Sequence, residues 1–162
     1  MSPIAAKLEE VCERWLAELL GLPDGCAAGF VTGTTLANFS GLAAGRNQLL
    51  QAQGWDVVEK GLYGAPPLRV IVGAGAHAAV HKTLSLLGMG NEHTEVVPVD
   101  AQGRLRADAF PQIDAPALVV LQAGNVNTGA FDPVGQVTER VHAAGGWVHV
   151  DGAFGLWAGA SP

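Results

Sequence analysis

The sequence predicts an α/β fold, a three-layer α/β/α sandwich with a mostly parallel sheet. Short apolar runs typical of buried strands alternate with segments of helical periodicity about four times along the chain. Glycine is abundant, at 22 residues, and glycine or proline stands at most of the junctions, where tight turns are needed. The 162 residues are 49% hydrophobic, which is enough for one domain with a sizeable core.

The element boundaries follow from the hydrophobic spacing and the turn residues. The predicted helices cover residues 3–19, 34–50, 77–87 and 134–144, with a helical turn around 56–60 and a short helix at 105–113. The predicted strands cover residues 68–72, 94–99, 117–121 and 147–150, and Phe30 and Val31 are predicted to end one more short strand. The strand-to-helix order predicts right-handed crossovers between parallel strands.

Charge and composition exclude several classes of partner. The formal net charge is −6 and the nine Lys and Arg residues are scattered, so a nucleic-acid surface is not expected. The longest uncharged run, 115–131, contains amide side chains and glycines, which argues against a membrane span. Cys12 and Cys26 form no C-x-x-C motif and no signal peptide is evident, so a cytoplasmic location is expected.

Groups suited to binding a small molecule follow the ends of predicted strands. Asp151 comes directly after the strand at 147–150, where an open parallel sheet places its ligands. Gly33, Thr34 and Thr35 begin a helix and offer backbone N–H groups and two hydroxyls to an anion such as a phosphate. Simple capping of the helix is the alternative role for the two threonines.

An imidazole and an amide-rich loop follow two further strands. His77 begins the helix after the strand at 68–72, and Asn125 lies in the loop at 122–129. Together with the phosphate-type turn and Asp151, these groups suit pyridoxal phosphate. The phosphate would take the helix N-terminus, the ring would stack on the imidazole, and the carboxylate would keep the pyridine nitrogen protonated so that the ring acts as an electron sink.

A second interpretation uses the glycine-rich turn after the strand at 68–72. Gly73, Gly75 and Ala78 match the dinucleotide pattern G-x-G-x-x-A, and Asp100 is the candidate ribose-binding acid. This pattern predicts an oxidoreductase that binds NAD or FAD. It ranks second because the acid lies 27 positions after Gly73 rather than about 20. A third possibility is a non-catalytic remnant that only folds or dimerises.

Two residue pairs that include histidine are spaced so that their side chains could act together. His77 and His81 share one helix face, but no third ligand is obvious and no glutamate separates them, so a zinc site is not expected. His149 and Asp151 lie two residues apart on a strand and therefore point to the same face. A His-Asp couple and a buried structural hydrogen bond both remain open for His149.

Four stretches resemble the motifs of the group II amino-acid decarboxylases, a pyridoxal-phosphate-dependent family of fold type I. The stretches are 29–38 (Gly-Phe-Val-Thr-Gly-Thr-Thr-Leu-Ala-Asn), 75–82 (Gly-Ala-His-Ala-Ala-Val-His-Lys), 124–132 (Gly-Asn-Val-Asn-Thr-Gly-Ala-Phe-Asp) and 147–153 (Trp-Val-His-Val-Asp-Gly-Ala). The first is similar to the family's phosphate-binding turn, with Thr34 where a second glycine is usual. The resemblance extends over nearly all of the chain.

The resemblance implies a carboxy-lyase that removes CO2 from an amino acid, with pyridoxal phosphate as cofactor and a homodimer as the assembly. It implies that His77 stacks on the cofactor ring and that Asp151 pairs with the pyridine nitrogen. It also implies that Asn125 and Ala153 contact the cofactor, while Gly33, Thr34 and Thr35 bind its phosphate.

The family's Schiff-base lysine, in a His-Lys pair, lies downstream of the aspartate motif. The lysines of this sequence are Lys7, Lys60 and Lys82. Lys82 follows His77 by five positions, about 140° around the helix axis, so it is not expected to face the cofactor. We therefore expect residues 1–162 to form a single partial domain, part of the cofactor-binding large domain, that is inactive by itself.

Overall fold

The computed structural model describes residues 2–161, and its elements match most of the predicted ones. The helices are α1 (Pro3–Leu19), α2 (Thr34–Ala52), α3 (Val57–Lys60), α4 (Ala78–Leu86) and α5 (Val134–Ala143). The strands are β1 (Arg69–Gly73), β2 (Thr94–Val97), β3 (Ala117–Gln122) and β4 (Trp147–Asp151), and a 3₁₀ helix follows at Gly155–Ala160.

Within the described residues, the strands form one parallel sheet in the order β2-β1-β3-β4. The register pairs Val120 with His149 and Gln122 with Asp151, so β3 and β4 end side by side. The central strands β1 and β3 are buried almost throughout, which explains why their sequences are continuous apolar runs rather than alternating ones. All the carboxyl ends of the strands lie at one edge of the sheet.

Helices cover both faces of the sheet. Side chains from α2 and α4 pack against one face in a cluster that includes Leu42, Leu84 and Val72. On the other face, Val137 and Val141 of α5 pack against alternate residues of β1 and β3. The predicted α/β fold with a parallel sheet between helical layers is therefore confirmed.

Helix α2 packs unusually closely on β4, and two of its glycines make this possible. A Cβ atom at Gly41 would lie 2.7 Å from Nδ1 of His149, and one at Gly45 would lie 2.5 Å from Cδ1 of Trp147. Real Cβ atoms essentially never approach neighbours at such distances. The helix backbone therefore rests directly on the side chains of the strand, at a spacing that a larger residue would prevent.

Helix α1 lies at the surface, and none of its residues is buried. Its apolar side chains Ile4, Leu8, Trp15 and Leu19 are mostly exposed, Trp15 to 64%. Glu13 connects the helix to the following loop by accepting a hydrogen bond from the Ala28 amide at 2.7 Å. Between residues 2 and 161, no helix has both the length and the apolar character required to cross a membrane.

Two of the predicted elements are wrong. Phe30 and Val31 lie in an extended but unpaired segment with both side chains exposed, because no neighbouring strand is available to them. Residues 105–113 form no helix. The backbone N–H of Leu105 donates to Asp132 and that of Arg106 donates to the Pro98 carbonyl, so contacts outside the segment replace the helical hydrogen bonds.

The close packing of α2 predicts opposite effects for the same substitution at two helical glycines. Gly45→Ala should destabilise the fold by about 1–3 kcal/mol, because the added methyl group overlaps Trp147 and Leu118. Gly135→Ala in α5, where a Cβ meets nothing within 4 Å, should be neutral or stabilising by up to about 1 kcal/mol. Urea denaturation of both variants measures the difference, and equal stability would contradict the close packing.

Candidate functional site

A cleft opens at the carboxyl edge of the sheet, where β1, β3 and β4 end together. The residues that line it include Gly73, Gly75, His77, Gln122, Asp132 and Asp151. The cleft therefore brings together His77 and Asp151, two groups that are 74 positions apart in the sequence. This is the position at which open parallel sheets bind their ligands.

Asp151 is the last residue of β4 and is buried, with only 8% of its surface exposed. One carboxylate oxygen, Oδ2, accepts a hydrogen bond from Nδ2 of Asn38 at 3.3 Å. The other, Oδ1, accepts from the backbone N–H of Ala153 at 3.2 Å. Both donors are neutral, so neither places a positive charge against the carboxylate.

His149 lies on the same face of β4 as Asp151, as the spacing predicts, and reaches the same asparagine. Its Nε2 lies 2.7 Å from Oδ1 of Asn38. Burial lowers the pKa of the His149 imidazole from its ordinary value, and the nearby Asp151 carboxylate opposes that shift. The two alternatives for His149 resolve to a structural hydrogen bond, with Asn38 as the bridge to Asp151.

His77 stands at the mouth of the cleft as the N-cap of α4. Its Nδ1 accepts a hydrogen bond from the backbone N–H of Ala79 at 3.2 Å, which holds the ring against the first turn of the helix. The side chain itself remains exposed. Because Nδ1 is an acceptor, the neutral imidazole carries its proton on Nε2. The cap thus fixes an imidazole in the lining of the cleft.

The turn at Gly33, Thr34 and Thr35 lies at the N-terminus of α2, as predicted. Gly33 adopts a φ of 116°, a conformation that favours glycine, and α2 begins at Thr34 without a side-chain cap. Thr35 is fixed through its carbonyl, which accepts from the buried hydroxyl of Thr83 at 3.4 Å. Thr34 precedes Asn38, which contacts Asp151, by about one helical turn, roughly 6 Å along the axis. Gly33, Thr34 and Thr35 do not themselves line the cleft, and their contact with a phosphate stays a prediction.

Asn125 and Ala153 lie near the cleft without lining it. The Asn125 side chain serves its own loop, because Oδ1 accepts from the N–H groups of Asn127 and Thr128 and Nδ2 donates to Gln122. Ala153 contributes its backbone N–H to Asp151. Contact between these two residues and a cofactor stays a prediction.

The role of Asp132 was not predicted from the sequence, in which the residue is only the last position of the stretch 124–132. Its carboxylate lies in the cleft wall and accepts two backbone hydrogen bonds at 2.7 Å, one from Leu105 and one from Gln122. Burial raises the pKa of the Asp132 carboxyl, these two N–H donors oppose the rise, and the charge of Asp100 adds to it. The only local signal was an aspartate after the loop that follows β3, because the residues that donate to it, Leu105 and Gln122, lie 27 and 10 positions away.

The contacts of Asp100, the candidate ribose-binding acid, argue against the dinucleotide interpretation. Asp100 accepts hydrogen bonds from the backbone N–H groups of Gln102 and Arg104, and its other oxygen pairs with the Arg104 guanidinium at 2.8 Å. These contacts hold the pKa of Asp100 below its usual range. The carboxylate is therefore committed to a tight turn, whereas a ribose-binding acid needs free acceptor positions.

The lysines lie away from the cleft wall. Lys7 pairs with Glu10 on α1, Lys60 lies over the Trp55 ring, and Lys82 is exposed on α4. Across residues 2–161, no three His, Cys, Asp or Glu side chains come together as a group that would hold a metal ion.

The comparison with protein families decides the identity of the domain. The family model described as the pyridoxal-dependent decarboxylase conserved domain matches residues 1–160. The chain belongs to the pyridoxal-dependent decarboxylase family.

Individual members of the pyridoxal-dependent decarboxylase family support this assignment. The L-2,4-diaminobutyrate decarboxylase of Acinetobacter baumannii is 28% identical over 171 residues, a match that covers 95% of this chain and 34% of that protein. The crystal structure of mouse CSAD superposes with a TM-score of 0.79 at 28% identity and covers 97% of this chain and 33% of its own. The structure of Oryza sativa TDC with PLP and tryptamine gives a TM-score of 0.77 at 28% identity, over 98% of this chain and 35% of its own. The chain thus spans about a third of the length of these relatives.

The residues of the cleft fit a pyridoxal group. A buried carboxylate whose hydrogen bonds come only from neutral donors is suited to a protonated ring nitrogen. An imidazole in the same lining is suited to a flat aromatic ring. Outside the lining, the N-terminus of α2, which has no side-chain cap, is suited to a phosphate.

The half-buried imidazole of His149 predicts a pH dependence of stability. The pKa of His149 is lower in the folded protein than in the unfolded chain, where it is about 6.5. The neutral imidazole therefore contributes fully to the free energy of unfolding above that pH, and this contribution is lost as the pH falls through the folded-state pKa. The expected slope is up to about 1.4 kcal/mol per pH unit. Urea denaturation should show that the free energy of unfolding decreases less between pH 7.5 and pH 5.5 for His149→Gln than for His142→Gln, an exposed control on α5. Identical losses would contradict the depressed pKa.

Proposed function

We propose that this chain is part of the cofactor-binding large domain of a pyridoxal-phosphate-dependent amino-acid decarboxylase, a carboxy-lyase. The observation that carries the proposal is the buried Asp151 carboxylate, placed at a strand end in a cleft that also contains His77. Family membership over nearly the whole chain supports the same chemistry. We propose residues 1–162 as a single partial domain within a longer subunit.

Each predicted site residue has a role in this proposal. Gly33, Thr34 and Thr35 bind the cofactor phosphate with the free N–H groups of the first turn of α2 and with the hydroxyls of the two threonines. His77 provides the surface on which the ring lies, and Asp151 holds the proton of the ring nitrogen. Asn125 and Ala153 complete the contacts from the two neighbouring loops.

The cofactor, when bound, supplies an electron sink for the bond that loses CO2. The role of this chain is to keep the cofactor ring able to accept those electrons. The Asp151 carboxylate keeps the ring nitrogen protonated because its own donors are neutral and leave its negative charge available to the proton. The substrate class is amino acids, as it is for the relatives.

The covalent step of the family needs a lysine, which we propose comes from a segment outside these 162 residues. None of Lys7, Lys60 and Lys82 lines the cleft. We propose a homodimer, which the exposed apolar side chains of α1 support, and a cytoplasmic location, which the free thiols of Cys12 and Cys26 support.

Replacement of the central carboxylate tests the proposed chemistry. In the complete subunit, Asp151→Asn should reduce kcat severely, on the order of a hundredfold or more, because an amide cannot hold the ring nitrogen protonated. Asp24→Asn, at an exposed loop position, is the matched control. The measurement is release of CO2 from a panel of amino acids. A variant with nearly the original activity would remove Asp151 from the mechanism.

Chemical trapping tests the proposal that this chain lacks the covalent lysine. After incubation of the 162-residue chain with pyridoxal phosphate, borohydride reduction and peptide mass spectrometry should find only weak labelling, of similar extent at Lys7, Lys60 and Lys82. The reason is that exposed lysines react without a site to orient them. A stoichiometric adduct on Lys82 would show that the chain carries its own covalent lysine.

A further inference from the structure

Asn38 is a buried amide on α2 that bridges two side chains of β4. Its side chain belongs to a residue only 3% exposed, and it faces the strand between His149 and Asp151. Oδ1 lies 2.7 Å from Nε2 of His149, and Nδ2 donates to Oδ2 of Asp151 at 3.3 Å. Both of its polar atoms are therefore engaged, and both contacts cross from helix to strand.

The chemistry of the three groups fixes the direction of this bridge. An amide oxygen only accepts, so His149 must donate from Nε2 and is held as the Nε2–H tautomer. In the reversed orientation, Oδ1 of Asn38 would face the Asp151 carboxylate, oxygen against oxygen. That orientation would also require the His149 proton on Nδ1, which packs against Gly41. The charged carboxylate and the neutral imidazole therefore belong to one arrangement of hydrogen bonds.

We infer that Asn38 is a positioning residue, which aims the Asp151 carboxylate at the cofactor ring nitrogen and locks His149 as its neutral support. This inference rests on the proposed function. A lysine or arginine at the same place would also hold the carboxylate, but its charge would compete with the protonated ring for it. A neutral donor orients Asp151 and leaves its charge for the ligand.

The tautomer of His149 tests the bridge without any cofactor. Solid-state ¹⁵N NMR of the complete subunit, labelled at the histidine nitrogens and assigned with His149→Gln, should show a protonated Nε2 and an unprotonated Nδ1 at neutral pH. A proton on Nδ1 would reverse the amide and overturn the inference.

Substitution at Asn38 tests the effect on the cofactor. Asn38→Asp keeps the size of the side chain, removes the donor to Asp151 and places a second carboxylate beside it. We expect the affinity of the reconstituted apoprotein for pyridoxal phosphate to fall by about tenfold or more, and His149 to become protonated at both nitrogens. Asn47→Asp is the control, because Asn47 lies on the same helix and its Oδ1 accepts hydrogen bonds from the Arg46 guanidinium.

A third variant covers the case in which two adjacent carboxylates prevent folding. Asn38→Ala removes both hydrogen bonds without adding charge, and circular dichroism establishes that it is folded. It should also lose affinity for pyridoxal phosphate and lose the single His149 tautomer. An affinity within twofold of the Asn47→Asp control, together with an unchanged His149 spectrum, would overturn the role of Asn38.

Failure of the inference and failure of the proposed function give different results. If the unsubstituted subunit binds no pyridoxal phosphate, the proposed function fails, and the inferred role of Asn38 toward a cofactor fails with it. If it binds the cofactor and the Asn38 variants bind equally well, only the inference fails.

Discussion

The packing of helix α2 on strand β4 is the contact on which the site depends. Along this contact Asn38, Gly41 and Gly45 of the helix face Asp151, His149 and Trp147 of the strand. The helical spacing of three and four residues follows the spacing of two on the strand, so the two rows stay in contact along their length, and Asn38 reaches both His149 and Asp151. The same contact closes the apolar core at one end and places a polar bridge beside the cleft at the other.

Local patterns were sufficient to predict the sheet. The apolar runs of β1 and β3 are continuous because both strands are covered on both faces, and such runs are legible without knowing what covers them. The position of Asp151 at a strand end, and its shared face with His149, also followed from the strand period alone. For these residues, the information lies within a few positions of the residue itself.

The errors and omissions concern contacts that are distant in the sequence. Asn38 meets partners 111 and 113 positions away, and Asp132 meets the Leu105 amide 27 positions away. No local pattern of residues distinguishes a buried bridging asparagine from one on a helix surface. The helix predicted at 105–113 was wrong because the apolar residues in this segment have distant partners: Leu105 and Phe110 pack into the core beneath α5.

The two glycines of α2 also determine how freely this helix can change. On the face toward β4, positions 41 and 45 have no room for a methyl group, so substitutions there are restricted by volume and not by chemistry. Ser40, Ala44, Gln48 and Gln51 form an exposed stripe of the same helix, which can accept many residues. A library of variants across α2 would therefore show tolerance that follows the helical period, and substitutions aimed at solubility are best placed on this exposed stripe.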